Sequence, residues 1–171
     1  MSAPPDEGDS EAVAPVPADQ NWHAPHNPWL ISLVATLTTF MEVLDTTIVI
    51  VALPHIAGNM GVSQDSATWI VTSYLLCNAI VLPFAPWLSS LFGRRNVYLV
   101  CVVLFTVSSF LCGIAGSFGM LVVFRLIQGL AGGGLIPSTQ AILVDTFPEH
   151  KRGMAMAMFT LCVVTAPAIG P

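Results

Sequence analysis

The chain has 171 residues, of which 54% are hydrophobic and only 9% charged, with a mean hydropathy of +0.77. A soluble domain carries about 25% charged residues, so a water-soluble enzyme is excluded. At about 20 residues per span plus loops, this length accommodates four or five membrane helices.

The net charge of −5 is concentrated at the N-terminus. Residues 1–27 hold Asp6, Glu7, Asp9, Glu11 and Asp19 without a Lys or Arg. This Pro- and Ala-rich stretch has too little apolar surface to offset the entropy of ordering, so a disordered acidic tail is expected. It lacks the positive start and apolar core of a signal peptide. His23 and His26 have no partner ligands, and no metal site is expected. There is no basic patch, which removes the electrostatic footprint of nucleic-acid binding. Cys77, Cys101, Cys112 and Cys162 all lie in apolar runs and read as small buried side chains.

The first apolar segment covers about 29–53, between Pro28 and Pro54. A second covers 67–91, with Pro83 and Pro86 expected to distort it. Between Arg95 and Asp145 the single charge is Arg125. As one helix that stretch would reach about 74 Å, far beyond a hydrocarbon core of about 30 Å. It must fold back, and Gly116-Ser117-Phe118-Gly119 supplies the turn. Spans at 97–115 and 120–144 result, the latter distorted at Pro137. A fifth run, 153–171, carries Pro167, Gly170 and Pro171 and is expected to be bent or broken. The expected architecture is therefore all-α and transmembrane, with four full spans and a partial fifth.

Apart from Arg125, every Lys and Arg lies in two short loops: Arg94 and Arg95, then Lys151 and Arg152. The positive-inside rule puts those loops, and by alternation the N-terminus, in the cytoplasm. Trp29, Trp69 and Trp87 fall where an aromatic belt would.

Three ionisable residues lie inside spans: Glu42, Asp45 and Arg125. Such groups cost about 2.5–3.5 kcal/mol each at a helix centre, so they must face a polar interior. Glu42 and Asp45 are three residues apart and share a helix face, with Thr38 and Thr46 one turn either side of Glu42. Arg125, Gln128, Gly132 and Thr139 form a second polar stripe in the fourth span. The two stripes are expected to line one cavity. A carboxyl there can exchange a proton against a cationic or polar substrate; the other reading is a structural ion pair with Arg125 that holds helices together. Gly129 and Gly133 form a Gly-x-x-x-Gly pair that permits close helix approach. The chain offers no nucleophile–base set, metal cluster or phosphate loop, so no enzymatic activity and no cofactor are expected.

Leu44-Asp45-Thr46-Thr47-Ile48-Val49-Ile50-Val51-Ala52-Leu53-Pro54 resembles the first-helix signature of drug:proton antiporters in the major facilitator superfamily. Leu91-Phe92-Gly93-Arg94-Arg95 resembles the end of that superfamily's loop 2–3 motif, although Pro86 and Ser90 replace its usual first Gly and its Asp. Arg125-Leu126-Ile127-Gln128-Gly129 resembles the fourth-helix motif, and Phe147-Pro148 with Lys151-Arg152-Gly153 is similar to loop 4–5. Gly170-Pro171 resembles the opening of the fifth-helix antiporter motif, with Pro167, Gly170 and Pro171 as its hinge. Over 28–171 the chain is most similar to the EmrB/QacA-type, fourteen-helix branch.

The resemblance implies an N-terminal fragment of a proton-coupled multidrug exporter in the bacterial inner membrane. Its substrates would be amphipathic or cationic drug-like compounds, moved by alternating access and powered by the proton gradient. Its partners would be the lipid bilayer, the remaining transporter half and a periplasmic adaptor protein. Glu42, Asp45 and Arg125 would couple protons, while Thr38, Thr46, Gln128, Gly132 and Thr139 would line the substrate cavity. Two other readings stay open: a major facilitator carrier for another small solute, and a truncated membrane fragment that does not transport.

Overall fold

Asn27 opens the first helix by accepting a hydrogen bond from the Trp29 amide through its side chain, and Pro28 supplies a preset backbone angle at the first turn. The computed structural model describes residues 27–170, so the acidic tail, except Asn27, and Pro171 of the hinge lie outside the described residues. Helix α1 spans Pro28–Met60. Pro54 was expected to end it, yet the helix continues beyond the proline to Met60. Stopping in the apolar interior would strip several backbone groups of partners, which is worse in lipid than one proline defect. The stop comes instead at Gly61, whose φ of 63° is the left-handed conformation glycine tolerates, and whose amide bonds back to the Ala57 and Gly58 carbonyls.

The expected second span is two helices, α2 (Gln64–Val81) and α3 (Ala85–Phe92), bent by 57° across a short break. Pro83 and Pro86 each lack the amide that would carry the ladder through this stretch. Ser63 caps α2 by accepting from the Ser66 amide at 3.2 Å. Gly93, at φ 82°, then turns the chain into α4 (Arg94–Gly113). Ser117 caps α5 (Phe118–Thr146), and α6 (Glu149–Ile169) closes the described chain. Neither Pro137 in α5 nor Pro167 in α6 breaks its helix; both elements run on past the proline.

Among the described residues, four helices, α1, α4, α5 and α6, are long and apolar enough to cross a membrane, and the α2–α3 pair makes a fifth candidate. Helix α5 is central. Its main neighbours are α4 and α2, with α1 packed on both α5 and α6. Large apolar side chains such as Leu33, Val100, Phe110 and Leu161 point outward, as lipid-facing positions require.

Glycine sets the closeness of the α2–α5 contact. A Cβ on Gly133 would sit 2.6 Å from the Asn78 carbonyl oxygen, and one on Gly129 would collide with the Tyr74 carbonyl. The small-residue stripe therefore works as a slot for the α2 backbone. At one end of the bundle, Arg94 forms an ion pair with Asp145 on the last turn of α5. There Arg152 also donates through Nε to the Val144 and Phe147 carbonyls, at 2.9 and 3.0 Å. These cations satisfy carbonyls and charge at the negative end of the α5 dipole. The Trp29 ring meets Phe147 edge-on at 5.2 Å, which fixes the start of α1 to the same end.

Gly133→Ala should lower the melting temperature of the detergent-solubilised protein, because the added methyl overpacks a backbone contact at a cost of about 1–3 kcal/mol. Gly153→Ala is the control: a Cβ there meets nothing within 4 Å, and it should hold or slightly raise the melting temperature, since alanine favours the helix over glycine. Equal stability of the two variants in a thermal scan would refute the slot.

Candidate functional site

The buried charge lies where α1, α2 and α5 meet. Glu42 and Asp45 project from one face of α1, but they have different partners. Asp45 Oδ2 accepts from Arg125 at 2.6 Å and from the Gln128 side-chain amide at 3.0 Å. The Arg125 side chain is 7% exposed and that of Asp45 18%, so this ion pair is shielded from solvent. Gln128 is fully buried, and its side-chain oxygen accepts from the Cys112 thiol at 3.6 Å. Arg125 keeps one buried donor, Nε, without a partner among the described residues.

Glu42 is 3% exposed and forms no ion pair among the described residues. Its Oε1 accepts from the Tyr74 hydroxyl and from the Asn78 side-chain amide, each at 3.3 Å. Asn78 also donates to the Tyr74 oxygen at 3.4 Å, so the three groups form a closed triangle. Oε2 is buried and has no partner among the described residues. Gly132 of α5 faces this triangle: a Cβ there would lie 2.8 Å from the Tyr74 hydroxyl and 3.1 Å from Glu42 Oε1.

The other residues singled out from the sequence separate into groups. Thr38 and Thr46 return their hydroxyls to their own helix, bonding the Val34 and Glu42 carbonyls at 2.9 and 3.3 Å. Thr139 is fully buried and receives a hydrogen bond from Thr39 of α1 at 3.1 Å, a direct α1–α5 link. The two polar stripes do meet, and they meet as packed side chains. Gly93, Arg94 and Arg95 lie at the far end, by the Asp145 pair. Ser90, in place of the usual acid, donates to the Trp87 carbonyl at 2.7 Å, so the acidic partner of Arg94 comes from α5. Pro167 lies within α6. Gly170 approaches the middle of α1, where a Cβ would come within 3.1 Å of Thr47.

Tyr74 and Asn78 were not singled out from the sequence. They are uncharged, so a search for intramembrane charge passes over them. Their signal is the i, i+4 pairing of two hydrogen-bonding side chains on an apolar helix. Thr39 carried a similar signal, being three residues before Glu42.

The profile of the Major Facilitator Superfamily matches residues 35–171. The chain is 47% identical over 142 residues to the multidrug export protein EmrB of Haemophilus influenzae, and 41% identical over 142 residues to EmrB of Escherichia coli K12. Each match covers 83% of this chain and 28% of the relative, so the chain spans under a third of the length of these proteins. The fold is similar to the crystal structure of a bacterial homologue of the human lysosomal transporter Spinster, in an inward-facing and unoccupied conformation. The TM-score is 0.73 at 23% identity, covering 84% of this chain and 30% of that one.

The Asp45–Arg125 pair should be worth far more than a surface bridge. Asp45→Asn or Arg125→Gln alone leaves an uncompensated buried charge, at a cost of about 3–5 kcal/mol. The double substitution should recover most of that loss in a thermal scan. Additive losses would show that the two charges do not depend on each other.

Proposed function

Because the chain belongs to the Major Facilitator Superfamily, we propose that it forms the N-terminal part of a proton-coupled multidrug exporter of the EmrB/QacA-type, fourteen-helix branch. The observation that carries this reading is the juxtaposition of two differently held carboxyls on one helix. Glu42 is buried without a counter-ion among the described residues, and Asp45, three residues along, is bound to Arg125. A membrane helix tolerates such a set only where the charges have work to do or partners to hold. The multidrug-export names of the EmrB relatives support drug-like substrates.

On this reading, amphipathic or cationic compounds enter a cavity completed by the rest of the transporter. Thr38, Thr46, Gln128, Gly132 and Thr139 contribute from this chain. Substrate and proton compete for the Glu42/Asp45/Arg125 set. A ligand moves the carrier only through its different affinity for two states. Relief of buried charge supplies that difference here: a protonated carboxyl favours one packing of α1 against α5, and a charged carboxyl paired with a cation favours the other. Pro167, Gly170 and Pro171 serve as the hinge at the end of α6. The protein lies in the bacterial inner membrane with its N-terminus and the two basic loops in the cytoplasm, and it works with a periplasmic adaptor.

In the complete transporter, Glu42→Gln, Asp45→Asn and Arg125→Ala should each reduce proton-driven export at least tenfold while the protein still inserts. The check is accumulation of a fluorescent cationic dye in cells, with membrane abundance measured alongside. Wild-type export by both carboxyl variants would refute the assignment.

A further inference from the structure

Two carboxyls one turn apart raise the question of which one exchanges its proton, and the hydrogen-bond geometry separates them. Asp45 is committed: a single oxygen takes both Arg125 and Gln128, and giving up the charge would strand a guanidinium that already has one buried donor without a partner. Glu42 is arranged differently. Its Oε1 takes two neutral donors from α2, and its Oε2 is buried without a partner among the described residues.

We propose that Tyr74 and Asn78 are positioning residues that hold Glu42 by Oε1 and leave Oε2 as the atom that carries the exchangeable proton. The proposal rests on the exporter reading above and assigns the exchange within it. Both donors fall on one oxygen, so that oxygen accepts in either protonation state and the proton belongs to the other. Release breaks the Oε2–H bond. The electron pair stays on the carboxyl, and the proton passes to water in the transport pathway. The two donors then stabilise the carboxylate without supplying a full positive charge, which would lock it. The closed triangle also fixes the direction of Oε2, because Asn78 binds the Tyr74 oxygen as well as Glu42. Gly132 of α5 packs against the triangle from the other side, where an added Cβ would come within 2.8 Å of the Tyr74 hydroxyl and 3.1 Å of Glu42 Oε1.

The titratable groups around Glu42 are Asp45 on α1, Tyr74 on α2 and Cys101 on α4. Arg125 is held by Asp45, so the donors from α2 set the balance. Removing them takes stabilisation from the charged carboxyl, and the proton is retained to higher pH.

The test measures proton release from the purified complete transporter on addition of tetraphenylphosphonium, tracked with a pH-sensitive dye across a range of starting pH. Tyr74→Phe and Asn78→Leu should each move the half-point of release to more alkaline pH by about one unit, and Glu42→Gln should abolish release. If Glu42→Gln abolishes release but both α2 variants keep the wild-type half-point, the positioning role is wrong and the exporter reading stands. A uniform fall in amplitude with an unmoved half-point, or an acid shift, also overturns the positioning role. If Glu42→Gln releases protons like wild type, the coupling assignment of Glu42 fails as well. Should Asn78→Leu not insert, Tyr74→Phe decides, since it deletes a single oxygen.

Discussion

The structure depends on the cost of an unpaired polar group in a medium that offers no water. Arg125 and Asp45 would each be prohibitive alone in the apolar interior, and together they form a short ion pair between α1 and α5. That pair fixes the rotation of both helices. Once Asp45 faces Arg125, Glu42 must face α2, because residues three apart on a helix point about 60° from each other. The Thr39–Thr139 bond lies along the same α1–α5 seam and sets their relative height. The polar set acts as a register mark as much as a chemical one, since apolar packing against lipid-like neighbours distinguishes poorly between rotations.

The second requirement is closeness. Hydrogen bonds of 3.3 Å from α2 to Glu42 are possible because α2 and α5 approach to backbone contact at Gly129 and Gly133. The glycines contribute no chemistry themselves. They remove the side chains that would otherwise hold the helices a methyl or more apart, and Gly132 leaves room for the carboxyl triangle. A stripe that reads as packing and a stripe that reads as function lie on the same helix, and the first makes the second geometrically possible.

Much of this was legible in the sequence because the membrane imposes strong rules. The rarity of charge in the apolar runs singled out Glu42, Asp45 and Arg125, and their helical spacing placed the carboxyls on one face. The basic residues, which the structure places in the first turns of α4 and α6 rather than in loops, mark one end of the bundle, where Arg94 and Arg152 reach the C-terminal turn of α5 and its flanking residue. The proline readings were uneven for a physical reason. Pro83 and Pro86 lie close together and break the second span, whereas Pro54, Pro137 and Pro167 are isolated and each is carried within a longer helix. A lone proline removes one hydrogen bond, and in lipid ending the helix removes more. Side-chain pairing was beyond sequence spacing. Nothing in the spacing of Glu42 and Asp45 says that one would take the arginine and the other two neutral donors from a different helix.

That division makes the site more than a buried bridge. On the proposed reading, a helix held by one ion pair alone would have one stable arrangement, and the second carboxyl, in no ion pair among the described residues, gives α1 two, distinguished by whether that carboxyl is charged. Because both groups sit on α1 within one turn, a change at Glu42 is felt at the Asp45–Arg125 pair through a rigid element, with no long pathway required. The direction of the effect is set by charge. Ionising Glu42 adds a second negative group near the Asp45–Arg125 pair and raises the value of any cation that can enter between α1, α2 and α5. Protonating it removes that advantage. On the proposed reading, this is the differential affinity that lets a proton gradient expel a cationic or amphipathic compound, and it arises from the unequal partners of two acids on the same helical face.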